Sequence, residues 1–424
     1  MSDARTVRIR EELQASGLDA IVLTHPHDVV YSSNYNSILE RWWQQEPLSA
    51  VIVPAARDKP VTLLIPEANV ALLAEMESRG KPDTADEVRV FEMLNFCEVA
   101  RANDPHARPG ALGEAARAMY TKRIAGSCHP DIMSALAVAL ADHGLAGSRI
   151  AFDDLRIGWH LAHGRDAMAI EISDGLDLMM RARVVKTADE QQRLREVGRL
   201  ADAVIQASAD RLRKGVTWDE FQAEVAKIMI DLGVSPVDEG GMLFGGAFSG
   251  EFIPELFRTR HDRPLDDGQI VILETQGIYD GFWIDINRTA VLGNPRPEFQ
   301  RLHDTIRDGF EKMVALLKPG VNTGDLPQVA MEHLRVVGIS APEKCLVVAH
   351  GIGHMPLEIP VAFPSHGLAG ARGFVIEENM AISLDCLYFG GEHGPCHMEN
   401  VYLINSDGAE STYQTPLELM GPRW

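Results

Sequence analysis

Apolar positions recur at helical spacing through RTVRIREELQASGLDA (residues 5 to 20), then collect into short runs that are apolar at nearly every position. IVLTHPHDVVYSSNY reads as a strand, a turn and a second short element, and SAVIVPA, VTLLIP and SRIAFDD (148 to 154) read as buried strands. Alternation of this kind predicts an α/β domain. Near RARVVKTADEQ a short extended piece ends, and Thr187 with Glu190 forms a capping-box signature before a long amphipathic helix. We place a domain boundary there, giving residues 1–180 and 181–424.

Beyond that helix the pattern repeats. RKGVTWDEFQAEVAKIMIDLGVSP (213 to 236) and KPGVNTGDLPQVAMEHLRVVGISA (318 to 341) align without gaps at an offset of 105 residues, with Gly215, Val216, Gly233 and Ser235 matching Gly320, Val321, Gly338 and Ser340. A strand follows each copy, DGQIVILET in the first and ENMAISLDC in the second, and Glu274 then corresponds to Asp385. Two copies are too few for a solenoid, so the repeat predicts two related halves facing one another across a pseudo-twofold axis.

The strand carrying Glu274 is aliphatic or β-branched over most of 270–276, where a carboxylate is costly unless compensated. The chain is expected to turn through Gly277, Tyr279 and Gly281 and to present Asp285 in a second apolar run. If each half brings a strand-borne acid to the axis, Glu274 and Asp385 converge, and buried acids in a cluster repel one another unless cations neutralise them.

Composition narrows the possibilities. The 424 residues suffice for two cores, and Lys+Arg 40 against Asp+Glu 61 gives a net charge of −21, which disfavours nucleic acid and anionic membrane as partners. No uncharged apolar run reaches membrane-spanning length and no signal-peptide pattern opens the chain, so a cytoplasmic location is expected. Five scattered cysteines (97, 128, 345, 386 and 396) without a CxxC pair indicate neither a disulfide framework nor a cysteine zinc site.

The second domain supplies a candidate constellation: Glu274, Asp285, His350 in AHGIGHMPLEIP, Asp385 in MAISLDC and Glu399 in CHMENVYLI. Four carboxylates and an imidazole on apolar strands or glycine-rich turns suit two divalent ions such as Mn, Fe, Co or Zn. A bland alternative is that Glu274 and Asp285 are buried acids satisfied by Arg288 or by backbone amides, and that His350 is a core histidine.

The order and wording of these motifs resemble the pita-bread superfamily of methionine aminopeptidase, aminopeptidase P, prolidase and creatinase. The two acids stand 11 residues apart (285 − 274) and end in D-x-x-R-T; HGIG is followed by Glu358 and Pro360; Met380 precedes Asp385 by five residues; and MEN matches the family's closing I-E-D. YSSNY (31 to 35) and the RARVVKTADEQ junction extend the resemblance over the whole chain. It implies a smaller N-terminal creatinase-like α/β domain before a C-terminal pita-bread α+β domain, a dinuclear metal centre on Glu274, Asp285, His350, Asp385 and Glu399, and a homodimer. It also implies hydrolysis of an amide or related C–N bond in a small, amino-acid-like substrate, with Asp385 or Glu399 as proton shuttle and His397, two before the last ligand, at the substrate. His354, Glu358, Trp42, Trp43 and Tyr35 are candidate substrate-binding residues, the three aromatics with domain core as the other reading, and Gln276, Arg288 and Thr289 are candidate supports. His354 could replace His350 as ligand in another register; Pro360 favours His350.

The departures open other readings. Glu274 replaces Asp and Asp385 replaces Glu, one arm longer and its pseudo-symmetric partner shorter. Two histidines that help peptidase members bind the peptide group are missing, with GEFIPELF at the first place and Leu357 at the second. The dimethylsulfoniopropionate lyases of the superfamily likewise lack them, so a metal-dependent lyase is one alternative, and a metal-free binding protein or pseudoenzyme is another.

Overall fold

The structure is a computed structural model that describes residues 3–37, 46–93, 115, 118–119, 121–164, 167–237, 246–248, 263–339, 342–362, 373–389 and 393–421. Chain contacts divide it into two units, residues 1–183 and 184–424.

In the first unit six strands form one sheet: β1 (Ala20–Leu23), β2 (Ala50–Pro54), β3 (Thr62–Pro66), β4 (Glu87–Phe91), β5 (Arg149–Phe152) and β6 (Glu171–Asp174), in the order β4-β3-β2-β1-β5-β6. Strand alternation sends Ile21 and Leu23 to one face, with α1 (Ala4–Ala15), α2 (Pro26–Ser33), α3 (Val70–Ser78) and α6 (Leu176–Val184). Ala20 and Val22 go to the other face, with α4 (Ile132–Asp142) and α5 (Leu155–His163). Both faces are covered, which is why the strands read as unbroken apolar runs.

The second unit opens with α7 (Ala188–Ala209), whose start is the expected capping box: Thr187 Oγ1 accepts from the Glu190 amide and the Glu190 carboxylate accepts from the Thr187 amide. It is followed by α8 (Trp218–Asp231), the short strands β7 (Ser235–Pro236) and β8 (Gly246–Phe248), and the hairpin β9 (Ile270–Tyr279) and β10 (Phe282–Val291). Then come α9 (Pro297–Val314), α10 (Asp325–Val336), β11 (Cys345–Gly351), β12 (Glu358–Ala362), β13 (Ala381–Tyr388), β14 (Cys396–Ile404) and β15 (Ala409–Ser411). The sheet order is β12-β11-β13-β14-β10-β9-β7, with β15 on β14 and β8 on β9. The sequence repeat thus appears as two helix pairs, each with its own strands, meeting where β10 lies against β14. Helix α7 packs on β9 and β10, while α9 packs on β13 and α10 on β11.

One local expectation changes. Strand β9 continues through Gly277 to Tyr279, and the reversal is made by Asp280 and Gly281 alone, with φ of 50° and 84°. Asp-Gly is the dipeptide suited to a two-residue turn with both central residues at positive φ, so the hairpin stays in register from Tyr279 opposite Phe282 to Ile270 opposite Val291.

Candidate metal centre

Five strands of the second unit each bring side chains to one place, and the period of two explains which. Glu274 and Gln276 share a face of β9, Asp285 and Asn287 of β10, Ser383 and Asp385 of β13, and His397 and Glu399 of β14; His350 comes from β11. The register aligns them: Asn287 lies opposite Glu274 and Glu399, Asp285 opposite Gln276, Asp385 opposite Glu399, and Ser383 opposite His350. All of these are buried except Asp385, which is partly accessible.

His350 Nε2 lies 3.3 Å from Asp385 Oδ2 and 3.6 Å from Glu399 Oε1, while its Nδ1 faces the Gly351 carbonyl at 3.0 Å. His397 Nε2 is 2.8 Å from Asp385 Oδ1, and its Nδ1 is 3.5 Å from Glu274 Oε2. The two pseudo-symmetric acids therefore do converge, on opposite nitrogens of one imidazole. Gln276 Nε2 donates to Glu274 Oε1 and to Asp285 Oδ1, both at 3.1 Å, and Asn287 Nδ2 donates to Glu274 Oε2 at 3.1 Å. Ser383 Oγ donates to Glu399 Oε1 at 2.8 Å.

The electrostatics follow from burial. Glu274 is pushed up to about 7, chiefly because its charged form is removed from water. Asp285 and Glu399 rise for the same reason, with neighbouring carboxylates adding to the shift. Burial would raise Asp385 too, but hydrogen bonds from His350 and His397 outweigh it and hold this carboxyl below its ordinary range. The imidazoles move in the opposite sense: burial opposes their charge, yet the facing carboxylates raise His350 well above its usual value and His397 to about 10.

Arg288 does not neutralise the acids. It donates to the carbonyls of Asn287, Glu399, Thr415 and Pro416 and to Asn400 Oδ1, fixing β14 beside Glu399. Thr289 Oγ1 donates to the His397 carbonyl and accepts from its amide, at 2.7 and 2.8 Å. Among the described residues no lysine or arginine forms an ion pair with Glu274, Asp285, Asp385 or Glu399.

His354 stands apart from His350: its Nδ1 faces the Gly281 carbonyl at 3.0 Å and its ring packs on Phe282. Glu358 is engaged in the fold, accepting from the amides of His354 and Met355 and pairing with Lys186 at 2.7 Å. Tyr35 is wholly buried in the core of the first unit, where Asn69 donates to its hydroxyl, so its ring fills that core. Trp42 and Trp43 lie outside the described residues, as does GEFIPELF.

Sequence reasoning passed over Asn287, Ser383 and Lys186. The first two were within reach, each standing two residues from a candidate ligand on the same strand face. Lys186 carries no such signal, because its partner is 172 residues away.

Two groups offer ligand atoms all within 4.8 Å of one another: Asp285, His350 and Glu399, and Asp385, His397 and Glu399. Mixed carboxylate and imidazole donors fit divalent first-row ions, and adjacent groups joined through Glu399 fit a shared site. A third group, His25, His27 and Asp28, lies in the first unit, where Asp28 is already paired with Arg183.

The sequence model of metallopeptidase family M24 matches residues 192–406, half of the chain and all five strands of the constellation, and that of the Creatinase/Prolidase N-terminal domain matches residues 5–185. The chain belongs to metallopeptidase family M24. The chain is 26% identical over 409 residues to a Mycobacterium tuberculosis protein named Probable dipeptidase PepE, covering 96% of this chain and 92% of that one. The match to YkvY of Bacillus subtilis is 24% identical over 244 residues, 56% of this chain and 62% of YkvY. In structure the chain is similar to the prolidase from Pyrococcus horikoshii, with a TM-score of 0.69 at 16% identity, covering 99% of this chain and 100% of the other, which shows the pita-bread fold with its N-terminal creatinase-like domain. Among the described residues of this family member, no helix is long and apolar enough to cross a membrane.

Proposed function

We propose that the second unit is a metal-dependent hydrolase of the Xaa-Pro peptidase type, acting on the amide bond of a dipeptide-sized substrate with two divalent ions bound. The observation that carries this reading is the gathering of four carboxylates, three of them buried and Asp385 partly accessible, around two buried imidazoles without a lysine or arginine partner among the described residues. Family membership and the dipeptidase and prolidase names of the relatives support the substrate class. Asp285, His350, Asp385 and Glu399 would hold the ions, with Glu274 beside them. Bound there, divalent ions supply Lewis acidity and lower the pKa of water.

The chain's own groups divide the remaining work. Glu399, raised by burial and by the charge of Asp385, is the better proton carrier; its Oε1 is oriented by the Ser383 hydroxyl. Asp385, held ionised by His350 and His397, is suited to binding and orientation. Arg288 and Thr289 fix the β14 backbone that carries Glu399 and His397. The proposal extends to a cytoplasmic homodimer, which light scattering of the purified protein tests for its oligomeric part.

The test is a dipeptide panel with and without C-terminal proline, assayed in ¹⁸O-water after chelation and readdition of Mn, Co or Zn. Metal-dependent cleavage that places one solvent oxygen in the acid product is expected, and Glu399→Gln should lower kcat by about 10²–10⁴-fold. Leu357, half exposed at a place where the resemblance expects histidine, favours one other reading, a lyase. An alkene product without solvent oxygen, or retained ligand without product, would sink the hydrolase.

A further inference from the structure

We infer that His397 is itself a metal ligand in this chain, through Nε2, and that Glu274 is the carboxylate that orients it rather than a ligand. The inference rests on the metal-centre reading above and refines which residues make it.

Three observations converge on it. First, His397 is built like His350. Both have Nε2 near Asp385, one at each carboxylate oxygen, and each Nδ1 has an oxygen nearby, the Gly351 carbonyl at 3.0 Å for His350 and Glu274 Oε2 at 3.5 Å for His397. A metal-bound imidazole characteristically donates its second N–H to a carboxylate or carbonyl, which fixes tautomer and ring plane.

Second, the spacing fits. Two ligand atoms each 2.0–2.2 Å from one ion lie about 2.8–3.6 Å apart for octahedral or tetrahedral angles. The Nε2-to-carboxylate separations are 2.8 Å at His397 and 3.3 and 3.6 Å at His350. His397 completes a ligand group with Asp385 and Glu399, whereas Glu274 belongs to neither ligand group of this site.

Third, Glu274 is already occupied. Gln276 donates to one of its oxygens, Asn287 to the other, and His397 Nδ1 stands beside the latter. A carboxylate whose two oxygens each accept from an amide has less capacity left for a metal ion and is suited to orienting the imidazole. One arrangement then accounts for three residues together: Glu274, which stands where the resemblance expects Asp, Gln276 and His397. The longer arm reaches the imidazole, the amide holds that arm, and the imidazole takes the coordination position the acid leaves.

The competing explanation is that a protonated His397 only supplies positive charge. Co(II) titration of the full-length, metal-free protein separates the two, followed by absorption, elemental analysis and paramagnetic proton NMR, in which each ligating imidazole contributes a strongly shifted, exchangeable N–H resonance. Two such resonances are expected in wild type and one in His397→Ala, with at least tenfold weaker binding of one of the two ions. Glu274→Gln should keep both ions, shift the His397 resonance and weaken binding by about 10–100-fold, the range for a lost orienting partner. A single shifted resonance in wild type, or His397→Arg binding both ions as tightly as wild type, would overturn the inference and leave the metal centre standing. Absence of any Co(II) binding in wild type would overturn both. The wild-type spectrum decides the ligand question even if a variant fails to fold.

Discussion

Arg288 and His397 show how burial assigns a residue its role. Arg288 is fully buried, and burial lowers its pKa to about 10, so it stays charged at neutral pH while serving carbonyls that would otherwise lack donors. We expect Arg288→Met to destabilise the protein by about 3 kcal/mol or more, read from urea unfolding, because several buried acceptors lose their donor at once. An unchanged midpoint would show that β14 holds itself in place. The same residue illustrates what strand reading can and cannot tell. Its place three residues after Asp285 is plain in the sequence, which leaves pairing with the acids open, but the direction in which the guanidinium aims its five N–H groups depends on the segment at Thr415 and Pro416, far along the chain.

At the scale of elements, the segment from Gly351 to Glu358 is held from both ends. The Gly353 carbonyl accepts from Trp283 on β10, and the Glu358 carboxylate accepts from two amides of its own turn while pairing with Lys186 just before α7. Lys186 and Glu358 are both buried, so removing one charge takes this ion pair from the other inside the protein. Lys186→Met should cost about 3–5 kcal/mol, and Lys186→Met with Glu358→Leu should recover part of it. Hydrogen exchange of the amides of His354 and Met355 checks the structural half: they should exchange faster in the single variant, and equal protection would refute the staple. Only half of this arrangement was legible. Glu358 is legible in the sequence as a motif residue, whereas its ion-pair partner Lys186 lies outside any local pattern.

For the molecule as a whole, the acid cluster links stability to pH and metal. Unfolded, Glu274 releases its proton near 4.5; folded and metal-free, near 7. Between those values the folded state binds more protons, so rising pH removes stability, on the order of 3 kcal/mol from this group. His397 acts in the same direction over a higher window: its pKa rises from 6.5 to about 10 on folding, so its contribution is full below 6.5 and is lost as pH climbs through 10. The chelated protein should therefore be less stable at pH 9 than at pH 5.5, and Glu274→Gln should flatten the part between about 4.5 and 7. Thermal melts in EDTA across that range test this; a rise toward alkaline pH would contradict it. A divalent ion at 100 times its dissociation constant should add about 2.7 kcal/mol, if the folded state alone binds it.

The sequence by itself determined the local and periodic features of this protein. Helix and strand alternation, the capping box at Thr187, the repeat of two halves and the strand faces carrying Glu274, Asp285, Asp385 and Glu399 all follow from interactions within a few residues or from a period of two. Those same rules would have pointed to Asn287 and Ser383. Tertiary structure alone decided the pairings: that Glu274 and Asp385 meet at His397, that His350 and not His354 joins them, and that Arg288 turns away from the acids. The physical reason is that a side chain's charge, tautomer and ligand role are set by which distant groups share its buried volume, and strand register across the two halves brings those groups together.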